Sequence, residues 1–173
     1  NCIYGGEDYD ARREQKGWNQ IGFDDSHWRP VVIQEAPKGI LRPQMAAPVK
    51  IMERYDIQKV TKLNADQVAS ASVSTKRTVD LSAFVLDMGQ NLAGFPEITV
   101  RGKRGQKVTL IVAEALTDEG ACNQRQTGRQ HYYEYTLKGE GDEIWHPRFS
   151  YYGFRYIQVE GAVLKGQKNP QKL

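Results

Sequence analysis

A chain of 173 residues, 39% hydrophobic and 26% charged, has the means for one domain with its own core, or one domain with an arm. A net charge of +3 with scattered Lys and Arg gives no nucleic-acid footprint, and no apolar run approaches the roughly 20 residues of a membrane-crossing helix. The chain opens at Asn1 with neither an initiator methionine nor a basic-then-apolar leader, and reads as a piece of a longer polypeptide entered near a strand.

Residues 1–47 lack sustained periodicity. Turn residues alternate with large aromatics, as in Gly5-Gly6, Gly17-Trp18 and Gly22-Phe23-Asp24-Asp25-Ser26-His27-Trp28. This predicts an extended arm, the tail of a preceding domain, anchored by Trp18, Phe23 and Trp28. Asp24 and Ser26 are suited to side-chain-to-backbone turns. A β-sandwich domain is expected over 48–163, and 164–173 reads as a linker remnant.

From Val49 the alternation is clean: Val49, Ile51, Tyr55 and Ile57 oppose Lys50, Arg54 and Asp56, which predicts a strand. A further strand is expected over 68–73, and 78–85 is ambiguous. Phe84-Val85-Leu86 then leads into Asp87-Met88-Gly89-Gln90-Asn91-Leu92-Ala93-Gly94, read as a polar corner between strands. Lys107–Ala115 is apolar on both faces and should be a central strand. Thr117–Gly120 is a turn, 123–129 a polar loop, 130–138 a strand, and 145–160 a final aromatic strand pair. About eight to ten short strands and no long amphipathic helix give an all-β fold, an antiparallel, jelly-roll-like sandwich.

Chemistry is sparse. A glycosidase needs two carboxyl groups about 5 to 9.5 Å apart across the bond. The acidic pairs here (Glu7-Asp8, Asp24-Asp25, Asp118-Glu119) are adjacent in sequence and sit in turns. Glu114 ends the expected central strand, where a charge needs a partner; Arg148 or Arg155 would supply a structural ion pair. His27, His131 and His146 lack metal spacing, whereas Glu7, Asp8 and Asp10 are a loop set able to offer hard oxygens to calcium. Nine Tyr and three Trp suit either a sandwich core or a sugar platform. Cys2 and Cys122 would form one disulfide if they lie close. Two thiols do not set the compartment; a periplasmic or extracellular one is favoured over the cytoplasm.

Gly6-Glu7-Asp8-Tyr9-Asp10-Ala11-Arg12, Gly17-Trp18 and Gly22-Phe23-Asp24-Asp25-Ser26 with Trp28 resemble the opening motifs of bacterial α-L-rhamnosidases, glycoside hydrolase family 78. Asp87–Gly94 resembles that family's D-F-G-Q-N-x-A-G, and Ala113-Glu114 with Asp118-Glu119-Gly120 resembles its A-E-x-L-x-x-D-G. Tyr135–Gly139 and Pro147–Tyr156 follow in the family order, with Tyr152 where the family pattern has His. The resemblance implies a parent enzyme that hydrolyses terminal α-L-rhamnose with inversion, using acids on a separate (α/α)6 barrel beyond this chain. It also implies that a sugar-binding module, calcium-dependent in some members, lies mostly before Asn1. Two roles follow for the chain itself. The preferred one is a non-catalytic scaffold for the catalytic barrel; the alternative is a carbohydrate-binding module for rhamnose-containing glycans. Asp87, Gln90, Asn91, Glu114, Arg148 and Tyr152 are the candidate interdomain or sugar-binding residues.

Overall fold

The computed structural model describes residues 5–70, 83–127 and 130–165. Asn1–Arg13 and Arg54–Leu173 form one compact unit, and Glu14–Glu53 forms a second. The second unit contains neither helix nor strand, and none of its residues is buried. Its order is local: the Ser26 N–H donates to Asp24 Oδ1 at 3.0 Å, as expected of an Asx turn. The rings of Phe23 and Trp28 lie 5.6 Å apart, and Trp28 Nε1 donates to Gln15 Oε1 at 2.6 Å. Phe23 and Trp28 therefore pack on each other, while Trp18 stays 60% exposed.

The first unit is built on a six-stranded sheet. In chain order its elements are β1 (Gly5–Asp10), a 3-10 turn (Ala11–Arg13), β2 (Lys59–Leu63), α1 (Ala65–Ser70), β3 (Ala83–Gly94), β4 (Ile98–Val100) and β5 (Lys107–Ala113). There follow β6 (Ala115–Leu116), β7 (Cys122–Asn123), β8 (His131–Thr136), β9 (Glu143–Trp145) and β10 (Tyr152–Glu160). The sheet order is β1-β8-β5-β10-β3-β2, antiparallel throughout except that β1 runs parallel to β8. The β-branched, apolar run of β5 lies between β8 and β10 and is buried on both faces, the place its composition demands.

Both faces of the sheet are covered. On one, Phe84, Leu86, Leu110, Val112, Tyr133 and Phe154 pack with Trp145 from β9 and with Ile98 and Val100 from β4, which pairs with β9. On the other, Ala83, Val85, Ile111 and Ala113 meet Leu63 and Val68 and the β6–β7 ribbon through Leu116, Ala121 and Cys122. The expected all-β, antiparallel sandwich is therefore what the chain forms.

Four local expectations are corrected. Residues 5–10 are not part of an arm: they are the edge strand of the main sheet, held by the six-residue register with β8. Residues 49–57 are not a strand: Lys59–Leu63 pairs with the outer edge of β3, and this ladder stops at Asp87, whose carbonyl accepts the Gln58 N–H. The strand expected at 68–73 gives way to α1, while 71–73 lie outside the described residues. A reciprocal cap starts this helix: Gln67 N–H donates to Asn64 Oδ1 and Asn64 N–H to Gln67 Oε1, both at 2.9 Å. Finally, 87–94 is no corner but the continuation of β3, which runs unbroken in direction from Ala83 to Gly94. Most of 78–85, Cys2 and most of the linker remnant also lie outside the described residues. Cys122 is a buried free thiol whose Sγ donates to Ile111 O at 3.5 Å, and burial pushes its pKa up to about 12.

Candidate functional site

The stretch at 88–91, just past Asp87, is expelled from the ladder. β3 and β10 pair as Asp87 with Tyr156 and then as Leu92 with Phe154, so Met88, Gly89, Gln90 and Asn91 all lie opposite Arg155 alone. A bulge of this kind bends a strand and re-aims its side chains. Gly89 allows it: its φ is +82°, a left-handed value that an L side chain enters at a cost of roughly 1–2 kcal/mol.

The geometry pairs the bulge with the strand across from it. Arg155 Nε donates to Asp87 Oδ1 at 2.8 Å and its Nη2 to Asp87 Oδ2 at 3.0 Å, a bidentate fork. The Gly89 N–H adds a third donor to Asp87 Oδ1 at 2.8 Å. The Arg155 hydrogen bonds are the main reason the Asp87 carboxyl sits below its ordinary pKa. The guanidinium also lies 5.1 Å from the centre of the Tyr156 ring. At the far end of the bulge, Asn91 Nδ2 donates to Glu114 Oε1 at 2.8 Å. Gly153 leaves room for that carboxylate, since a Cβ there would stand 3.2 Å from Glu114 Oε1.

Of the six candidate residues, Asp87, Asn91 and Glu114 are gathered at this bulge, and Gln90 is exposed on it. The ion pair expected for Glu114 goes elsewhere. Glu114 lies one residue past β5, exposed, and bonds Asn91, while Arg155 belongs to Asp87. Arg148 is exposed, and its backbone N–H donates to Glu7 Oε1 and Oε2 at 3.1 and 3.0 Å. Tyr152 turns inward, its ring 3.8 Å from that of His131 and 5.9 Å from that of Tyr133.

Two carboxylates matter more than their sequence suggests. Glu7 reaches the Arg148 and Phe149 N–H groups, tying β1 to the segment that leads into β10. Glu143 is buried and accepts from Tyr135 OH, Lys138 N and Gly139 N at 2.8, 3.0 and 2.8 Å. Asp10 is held by Arg12, which lowers its pKa to about 2. Among the described residues no group of three or more His, Cys, Asp or Glu is arranged to hold a metal ion. An open cleft of about 370 Å³ is lined by Ser70, Thr117, Glu119, Asn123 and Arg125, and none of the six candidates lines it.

The bulge makes a graded prediction. Asp87→Asn should cost about 1 kcal/mol in urea melts, after allowing for solvent screening at a guanidinium 39% exposed. Gln90→Ala, with no such partner among the hydrogen bonds at the bulge, should stay within about 0.5 kcal/mol of the parent chain.

The comparisons with known proteins agree with one another. Residues 1–53 match the family model described as the alpha-L-rhamnosidase N-terminal domain. Residues 77–173 match that described as the bacterial alpha-L-rhamnosidase concanavalin-like domain. The chain is 36% identical over 164 residues to an alpha-L-rhamnosidase of Streptomyces avermitilis, covering 92% of this chain and 14% of the relative. It is 34% identical over 173 residues to one of Formosa agariphila, covering 95% of this chain and 16% of the relative. Among solved structures, the alpha-L-rhamnosidase of Aspergillus terreus superposes with a TM-score of 0.76 at 33% identity, over 98% of this chain and 18% of that one. The Streptomyces avermitilis enzyme, solved in complex with L-rhamnose, gives 0.71 at 34% identity, over 96% and 15%. The chain thus spans about a sixth of the length of these curated relatives.

Proposed function

The chain belongs to the bacterial α-L-rhamnosidase family, and from that premise we propose that it is an accessory β-sandwich that acts as a scaffold within a longer rhamnosidase. In this reading the parent protein removes terminal α-L-rhamnose from glycosides on a separate catalytic barrel, and this region braces that barrel without taking part in the chemistry. The observation that carries the proposal is the state of the bulge. Its carboxylates are occupied by the chain's own groups, Asp87 by Arg155 and Gly89, Glu114 by Asn91. A sugar site would hold such groups ready for hydroxyls beside an open aromatic face. Here Tyr152, the candidate ring, is stacked on His131.

Thermal unfolding with and without L-rhamnose tests the reading. A site with a Kd of about 1 mM would add about 2.3 kcal/mol at about 50 mM sugar, and raise Tm by several degrees. The scaffold reading predicts the same Tm in L-rhamnose as in an equal concentration of an unrelated hexose. A rise specific to L-rhamnose would instead support a carbohydrate-binding module.

A further inference from the structure

The N-terminal family model claims residues 1–53 as one stretch, but the structure divides that stretch. Residues 14–53 form a unit with no buried residue, whereas Gly5–Arg13 belongs to the other unit, with Gly5–Asp10 in its sheet. The contacts of this short segment are those of a bound peptide. Its backbone runs parallel to β8 in register from Gly5 opposite His131 to Asp10 opposite Thr136. Its alternate side chains are each received. Glu7 accepts the Arg148 and Phe149 N–H groups. Tyr9 stacks on Tyr135 at 5.9 Å with an interplanar angle of 11°, and lies 6.0 Å from Trp145. Ala11 is buried, 3% exposed, in the main core. The opposite side of the strand is different: Asp8 is exposed, and Asp10 pairs within the segment with Arg12.

Strand addition with pockets for alternate side chains is an established mode of peptide recognition. We propose that the edge of β8 that β1 covers, with the paired N–H groups of Arg148 and Phe149 and the Tyr135–Trp145 pocket, is an acceptor groove whose ligand is the chain's own Gly5–Arg13. The chemistry it selects is an extended segment carrying a carboxylate, then an aromatic ring two residues on, then a small residue two further. The groove fastens the N-terminal domain to the concanavalin-like domain by non-covalent strand addition, in addition to the covalent connection through residues 14–53. Calling this a fastening of domains rests on the scaffold reading; the docking itself does not.

The test cuts the covalent connection after folding. A single site for a specific protease is placed between Gln34 and Ile40, in the exposed unit, and the intact folded chain is cleaved. The proposal predicts that the N-terminal piece co-elutes with the sheet on size exclusion, and that a fluorescent peptide of residues 5–13 exchanges into its place. Glu7→Ala and Tyr9→Ala, introduced into the cleavable chain, should each speed release of the piece at least about tenfold. Asp8→Ala should not change it. Immediate loss of the piece from a sheet with unchanged circular dichroism would overturn the proposal. So would retention that is indifferent to Glu7 and Tyr9, since something else would then be holding it. Neither result bears on L-rhamnose binding, so the scaffold reading stands or falls separately.

Discussion

Glu143→Ala should lower the folding free energy at neutral pH by about 2–4 kcal/mol. The carboxylate is 3% exposed and accepts three hydrogen bonds, from Tyr135 OH and from the Lys138 and Gly139 N–H groups. Removing it leaves the buried Tyr135 hydroxyl without its acceptor, and takes a charge-assisted acceptor from the half-buried Lys138 N–H and the Gly139 N–H at the surface. Burial by itself works to raise the Glu143 pKa. The two backbone N–H groups and the Tyr135 hydroxyl together outweigh it, and the net shift is downward from 4.5. The unfolded chain then binds more protons than the folded one between the two values. The stabilisation is complete above about pH 4.5 and is lost as pH falls through the lower folded pKa. Asp87, lowered chiefly by Arg155, acts in the same direction. Urea melts at pH 7 and pH 3.5 read both effects. The parent chain should weaken clearly on acidification, and Glu143→Gln should start weaker and show a flatter pH slope.

The second large effect is at Gly6. Its φ is +81°, and a Cβ there would stand 1.7 Å from the carbonyl oxygen of Tyr132, a backbone atom of the strand it pairs with. No side-chain rearrangement relieves such a contact. Gly6→Ala should therefore detach β1 and forfeit the Glu7 hydrogen bonds, the Tyr9 stack and the burial of Ala11, about 2–4 kcal/mol in all. Hydrogen exchange of the His131–Thr136 amides is the direct readout and should accelerate, because the edge of β8 is uncovered. Gly5→Ala is the control. Gly5 also has a positive φ, +92°, but nothing stands within 4 Å of its Cβ position, so it should pay only the conformational strain of roughly 1–2 kcal/mol.

What was legible in the sequence was whatever depends on neighbours along the chain. The apolar run of β5 and the alternation of His131, Tyr133 and Tyr135 in β8 announce strands at the right places, since burial of one or both faces follows from spacing. The ordered motifs pointed to the family that the comparisons found. The Asn64-to-Gln67 cap was also legible locally, and the apolar spacing around Val68 hid it. What was not legible depends on register between distant strands. Gly89 marks a break in β3, but whether that break is a corner or a bulge is decided by β10, with which it pairs. For the same reason Arg155 goes to Asp87, 68 residues away, rather than to Glu114. The role of Glu7 is more distant still, since the N–H groups it holds lie 141 and 142 residues on. A carboxylate in a Gly-rich acidic stretch looks solvated until its partner strand is known. The alternation at 49–57 failed as a strand signal because a strand also needs a regular partner edge, and past Asp87 β3 bulges out at Met88–Asn91.

The central claim is that this region braces a rhamnosidase rather than binding sugar, and an amide NMR titration of the chain with L-rhamnose, with and without calcium, tests it most directly. The scaffold account predicts no saturable shifts up to tens of millimolar sugar, beyond the Kd of a roughly 4 kcal/mol interaction. Saturable shifts confined to the bulge and its partners, at Asp87, Gln90, Asn91, Glu114, Gly153 and Arg155, would contradict it and make this sheet a rhamnose-binding surface.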